Sequence, residues 1–177
     1  MDKKIGVFLC RCGGNISDVI DMERLEEYAL NRKGVTHTRV HENICSQQGQ
    51  KLIAKEIEEE DLDGVVVGAC SPHFHGEEFR SAVGSTRLSP YQVEIANLRE
   101  QNSWVHYDDH NLALEKAKSE IAGKIEKVKR NDFLEILKAP IGNSALVIGA
   151  GIAGIQAALD LADEGFEVYV IEKKSYI

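Results

Sequence analysis

Ile5-Gly6-Val7-Phe8-Leu9-Cys10-Arg11-Cys12 is a short apolar run that ends in two cysteines. Runs of this length, bounded by glycine and polar residues, read as strands. The pattern returns where Val40 to Ile44 leads into Cys45, within a predicted strand over Val35 to Ile44, and where Val65-Val66-Val67-Gly68-Ala69 leads into Cys70. Helical spacing fills the gaps. Asp18 to Leu30 carries Val19, Ile20, Met22, Leu25, Tyr28 and Ala29, and Gln47 to Glu60 carries Leu52, Ile53 and Ile57. The acidic residues of that second helix, Glu56, Glu58, Glu59 and Glu60, are expected mostly in solvent. Ser71 and Pro72 suit the N-cap and N1 positions of a third helix reaching about Val83. Tyr91 to Ala96 reads as a fourth strand, and Asn111 to about Arg130 as a long amphipathic helix. This alternation predicts an α/β class: a small parallel sheet with helices on both faces. An α+β arrangement with one antiparallel edge is the alternative.

Asn131 to Asn143 interrupts the alternation, with Pro140 and Gly142 inside it. We therefore expect a first domain over 1–132, a linker over 133–143 and a second unit over 144–177. That unit opens with the strand Ala145 to Ile148. The turn Gly149-Ala150-Gly151-Ile152-Ala153-Gly154 begins an Ala-rich helix, and the strand Val168 to Ile171 ends at Glu172. A GxGxxG sequence alone is weak, but one placed between a strand and a helix and followed by an acidic strand end reads as the first βαβ unit of a Rossmann-type dinucleotide site. Gly149 permits the tight turn, Gly151 lets the backbone approach a pyrophosphate, and Gly154 allows close helix packing. Glu172 would accept hydrogen bonds from a ribose. One such unit is expected to hold only the ADP end of a cofactor, so the chain reads as a fragment, or a piece completed by another polypeptide, that binds FAD weakly by itself.

Composition narrows the classes. The 177 residues are 43% hydrophobic and 28% charged, as in ordinary globular proteins. A net charge of -8 argues against a nucleic-acid partner, which would need a basic stripe. No apolar run is long enough for a membrane span, and the start lacks a signal-peptide pattern, so a cytoplasmic location is expected. Structural disulfides are rare there.

Cys10, Cys12, Cys45 and Cys70 are the whole cysteine inventory. Ligands of parallel α/β sheets gather outside the carboxyl ends of strands, which is where all of these fall. Four soft thiolates suit an iron–sulfur cubane or a structural zinc. Ligands scattered over several strand ends, beside a dinucleotide motif, suit electron transfer better than the paired C-x₂-C knuckles of structural zinc. Buried, inert cysteines and a strained Cys10–Cys12 disulfide are the remaining readings. His73 and His75, which follow Cys70, could bond a cluster sulfur or move a proton, or simply lie at the surface. The polar stretch Asn97 to His106 would suit hydrogen bonds that tune a cluster. Alternatively it is a capped loop with Trp104 packed into the core.

Taken together, several blocks resemble the amino-terminal part of the heterodisulfide reductase A-subunit family. They are Gly6-Val7-Phe8-Leu9-Cys10-Arg11-Cys12-Gly13, Cys45-Ser46-Gln47-Gln48-Gly49-Gln50, Ala69-Cys70-Ser71-Pro72, Ala96-Asn97-Leu98-Arg99-Glu100-Gln101, Ser103-Trp104-Val105-His106 and Ala145 to Asp160. The resemblance implies an N-terminal [4Fe-4S] electron-transfer domain held by Cys10, Cys12, Cys45 and Cys70, followed by an FAD domain. It implies a part of a cytoplasmic oxidoreductase of methanogenesis, acting on CoB–CoM heterodisulfide, in which the flavin bifurcates electron pairs. The implied partners are other subunits of such a complex and electron-donor proteins, with a homodimer as a further possibility. This chain alone is expected to be inactive. A zinc-stabilised docking module that assembles the complex is the competing function. The family pattern commonly has a cysteine at the place of Asn102, yet the four cysteines present remain a complete ligand set.

Overall fold

A computed structural model describes residues 3–176. They fall into two compact units divided between Glu135 and Ile136.

The first unit alternates strand and helix in the order β1 (Ile5–Cys10), α1 (Met22–Leu30), β2 (Val35–His41), α2 (Gln47–Glu59), β3 (Gly64–Ala69), α3 (Pro72–Gly84), β4 (Val93–Asn97) and α4 (His110–Val128). The four strands form one sheet in the order β2-β1-β3-β4. Every pairing is parallel, so the antiparallel-edge alternative does not apply. β1 and β3 lie at the centre and are buried along their whole lengths, which is why they read as continuous apolar runs. Edge strand β2 mixes Val35 with His37, Arg39 and His41 and is mostly half-buried.

Side chains alternate across the sheet. Ile5, Val7 and Leu9 of β1 pack with Met22, Leu25 and Ala29 of α1 and with Ala113, Ala117 and Ile121 of α4. Phe8 and Cys10 join Ile53 and Ile57 of α2 and Phe79 and Val83 of α3 on the opposite face. Helices therefore cover both faces, as the sequence implied. The connection from β1 leads to β2 on one side, whereas β3 pairs on the other, so strand order reverses between β1 and β3. In open α/β sheets that reversal leaves a crevice at the carboxyl ends of the strands.

Several boundaries differ from expectation for local reasons. α1 begins at Met22, because residues 11–20 fold into turns and the Asp21 side chain caps the helix at the Arg24 amide. β2 stops at His41, whose Nδ1 accepts from the Asn43 amide at 3.1 Å and starts a turn. Glu56 is not solvated. It is buried in α2, where it meets His37 Nε2 at 2.7 Å and Arg39 Nη2 at 2.6 Å from the edge strand. The chain between β4 and α4 contains a π-helical turn, Arg99–Ser103, that no sequence pattern announced. Turns of that kind recur at functional sites.

In the second unit β5 (Ser144–Ile148) and β6 (Glu167–Ile171) pair in parallel around α5 (Ile152–Asp163). Among the described residues no helix is long and apolar enough to cross a membrane.

Candidate metal centre and dinucleotide turn

The four cysteines sit where β1, β2 and β3 deliver their chains to the crevice. Cys10 is the last residue of β1, and Cys12 lies two residues beyond. Cys45 precedes Ser46, the N-cap of α2, and Cys70 precedes Ser71, the N-cap of α3. All four are free thiols, Cys10 and Cys70 buried and Cys12 and Cys45 half-buried. They interact electrostatically with one another: Cys12 and Cys45 act on Cys10, and Cys12 and Cys45 also act on Cys70.

The loop after β1 makes this proximity possible. Cys12 adopts φ +57°, a left-handed conformation unusual for a residue with a Cβ. Gly13 and Gly14 continue the turn at φ +58° and +93°. Strain of this sort persists only where neighbours hold it. The Arg11 and Cys12 amides donate to His41 and Glu42 carbonyls at 2.9 Å, tying the loop to the end of β2. On its other side Ser103 Oγ donates to Asn15 O at 2.7 Å, so the π-helical turn grips the same loop.

Arg99 Nη1 donates to Cys12 Sγ at 3.2 Å, and the Ile44 and Cys12 backbone amides favour the thiolate at Cys10. Burial outweighs these donors at Cys10 and pushes its thiol up to about 11. Burial likewise lifts Cys70 to about 11, against the opposing charge of Arg99, and raises Cys45. Cys10 Sγ itself donates to the Glu42 carbonyl at 3.6 Å. Among the described residues no three Cys, His, Asp or Glu side chains converge on a single ion position. Four thiols at one sheet edge match in number and chemistry the donor set of a cubane, which takes one thiolate on each of four irons, and also that of a tetrahedral zinc ion.

Of the remaining residues singled out from sequence, His73 is exposed, and His75 Nδ1 faces Glu78 at 3.7 Å. Trp104 is not core. It is 55% exposed, and its ring lies against Arg99. Asn102 is fully buried within the π-helical turn, and neither its Nδ2 nor its Oδ1 has a hydrogen-bond partner. The Asn97 to His106 stretch was legible as polar, but its particular contacts were not. The Glu100 carboxylate accepts from Arg99 Nε at 3.0 Å and Nη2 at 2.7 Å, and from the Ser71 amide at 2.7 Å.

In the second unit Gly149 has φ +101°, and Gly151 is the N-cap of α5 with open space where a Cβ would stand. A Cβ on Gly154 would fall 1.9 Å from the Gly149 carbonyl oxygen, so helix and turn touch only because that residue is glycine. Glu172 reaches back to the turn, where its Oε2 accepts from the Ala150 amide at 2.8 Å. A free amide-lined helix start with room above Gly151 fits a pyrophosphate.

A family profile described as FAD binding domain matches residues 144–177. Across nearly the whole chain, 46% of 176 residues are identical to an iron–sulfur A subunit of the CoB–CoM heterodisulfide reductase of Methanopyrus kandleri, an alignment covering 99% of this chain and 27% of that protein. The chain is homologous to the A subunits of heterodisulfide reductases. The A subunit of an H(2):CoB-CoM heterodisulfide,ferredoxin reductase of Methanothermobacter thermautotrophicus is 45% identical over 99% of this chain and 27% of its own length. For the A subunit of the ferredoxin/F(420)H(2)-dependent CoB-CoM heterodisulfide reductase of Methanosarcina acetivorans the identity is 42%, over 98% of this chain and 22% of that protein. The chain thus spans about a quarter of the length of the heterodisulfide reductase subunits it matches. The α/β architecture with a βαβ unit at the FAD-binding region agrees with what the resemblance implied.

Proposed function

We propose that the first unit is an iron–sulfur electron-transfer domain of a heterodisulfide reductase-type oxidoreductase, with Cys10, Cys12, Cys45 and Cys70 as the ligands of a [4Fe-4S] cluster. The observation that carries this reading is the delivery of four free, mutually interacting thiols to the crevice where strand order reverses. A bound cluster would supply one-electron acceptance and donation. The chain's own groups supply the rest: thiolate ligation, amide and guanidinium donors to sulfur, and an apolar surround built from both faces of the sheet. We assign residues 1–132 to this domain, 133–143 to a linker and 144–177 to an FAD-binding unit. In that unit Gly149, Gly151 and Gly154 form the pyrophosphate turn and Glu172 takes the ribose.

By extension from the relatives' names, the physiological reaction would be reduction of CoB–CoM heterodisulfide within a complex of further subunits, in the cytoplasm. The zinc docking module is the competing reading, disfavoured because structural zinc usually takes paired C-x₂-C ligands whereas these cysteines come from three separate strand ends. The test is to replace Cys10, Cys12, Cys45 and Cys70 singly with serine and to count iron and sulfide after anaerobic purification. A hydroxyl supplies neither the charge nor the softness of a thiolate at neutral pH. Each variant should lose most of its iron, and full occupancy in all four would refute the assignment.

A further inference from the structure

Arg99 is the one cation in hydrogen-bond contact with a cysteine sulfur among the described residues, and it is held there from several directions. Its guanidinium carbon lies 5.0 Å from the centroid of the Trp104 ring and 5.5 Å from that of Phe74, so the planar group is flanked by two aromatic faces. Both rings are themselves exposed, at 55% and 61%, yet they and Glu100 leave the Arg99 side chain only 19% exposed. The Glu100 carboxylate fixes the other edge of the fork and at the same time accepts from the Ser71 amide, next to Cys70. Cys12, Arg99, Glu100 and Ser71 thereby form a continuous polar bridge from the loop after β1 to the loop after β3, across the crevice. Arginine suits this place because only its flat, forked head can donate to a sulfur, pair a carboxylate and stack on rings simultaneously.

We propose that Arg99 is a positioning residue that sets the reduction potential of the cysteine site, by placing a fixed positive charge and an N–H donor on Cys12. The proposal rests on the cluster reading given above. Uptake of one electron adds one negative charge to the metal–sulfur group. A fixed cation beside a ligand sulfur stabilises the reduced state more than the oxidised one, and a hydrogen bond to that sulfur acts in the same direction. Arg99 therefore raises the potential and makes the site easier to reduce.

The experiment is an equilibrium titration of the reconstituted 177-residue chain with dithionite as the electron donor, followed by electron paramagnetic resonance, on wild type, Arg99→Gln and Arg99→Lys. Iron and sulfide are counted first in each. Arg99→Gln should lower the reduced-to-oxidised ratio at a fixed ambient potential about tenfold, which is about 59 mV for a one-electron couple. Arg99→Lys, which keeps the charge and loses the fork, should fall between the two. An unchanged potential in Arg99→Gln with full iron overturns the proposal and leaves the cluster reading standing. If Arg99→Gln holds no cluster, Arg99→Lys decides: a lowered potential supports the role, and the wild-type value overturns it. A wild-type protein that takes up no iron defeats the cluster reading and this inference with it.

Discussion

Replacing Asn102 with cysteine separates a buried structural defect from a missing ligand. Asn102 is fully buried, and both polar ends of its amide lack partners. It lies close enough to Glu120 to act on that carboxyl, which burial raises and Lys116 and Asn102 counteract, yet the two do not meet in a well-formed hydrogen bond. An unsatisfied buried amide costs about 1–3 kcal/mol. Cysteine tolerates burial without a partner. It is slightly smaller than asparagine, and the small void it leaves costs on the order of 1 kcal/mol. The net expectation is a gain of about 1 kcal/mol, or roughly 3–5 °C in the Tm of a unit this size. Circular dichroism melts of apo wild type and Asn102→Cys measure it, and iron counts after reconstitution complete the test. We expect a higher Tm with unchanged iron per chain. A lower Tm would mean that the amide is satisfied in solution. A rise in iron occupancy would make position 102 a ligand site and refute the four-cysteine assignment.

Glu56→Ala should destabilise the first unit by about 1.5–3 kcal/mol in a urea melt, because it leaves the nearly buried His37 without its carboxylate. Arg39→Ala should cost under about 1 kcal/mol, since Arg39 is half-exposed. The raised thiols give two pH effects of defined sign. Cys10 and Cys70 bind protons more tightly when folded than their ordinary value of 9.0, so apo stability is intact below pH 9 and falls as pH rises toward about 11. Cys10→Ala should flatten that fall. Building the cluster on the apo protein from ferrous iron and sulfide must displace thiol protons, so the cluster occupancy reached at fixed iron and sulfide climbs between about pH 6 and 8.

The core of the fold was legible because β1 and β3 are central strands of a parallel sheet, where burial on both faces writes an unbroken apolar run. Ser71-Pro72 marked the start of its helix through cap chemistry that is local. Glu56 misled because an acidic run carries no record of the edge strand that would reach it; His37 and Arg39 lie in a different element. The π-helical turn left no pattern in the sequence; Ser103 within it bonds Asn15 and Leu98 just before it bonds Ala69, both remote in the chain. Strand-end reasoning picked out the four cysteines and the polar stretch Asn97 to His106, but not Arg99 within that stretch as the residue that meets a sulfur. Its partner Cys12 lies 87 residues away, and only the β2-β1-β3-β4 order brings them together. The tight turn at Gly149 and the close packing at Gly154 were readable, since that geometry is confined to one βαβ unit.

The central claim is that Cys10, Cys12, Cys45 and Cys70 hold one iron–sulfur cubane. Anaerobic purification followed by metal and acid-labile sulfide analysis of the same sample tests it most directly. The expected result is about four irons and four sulfides per chain, with a broad visible charge-transfer absorption that bleaches on reduction. About one zinc per chain, no sulfide and a colourless protein would contradict it.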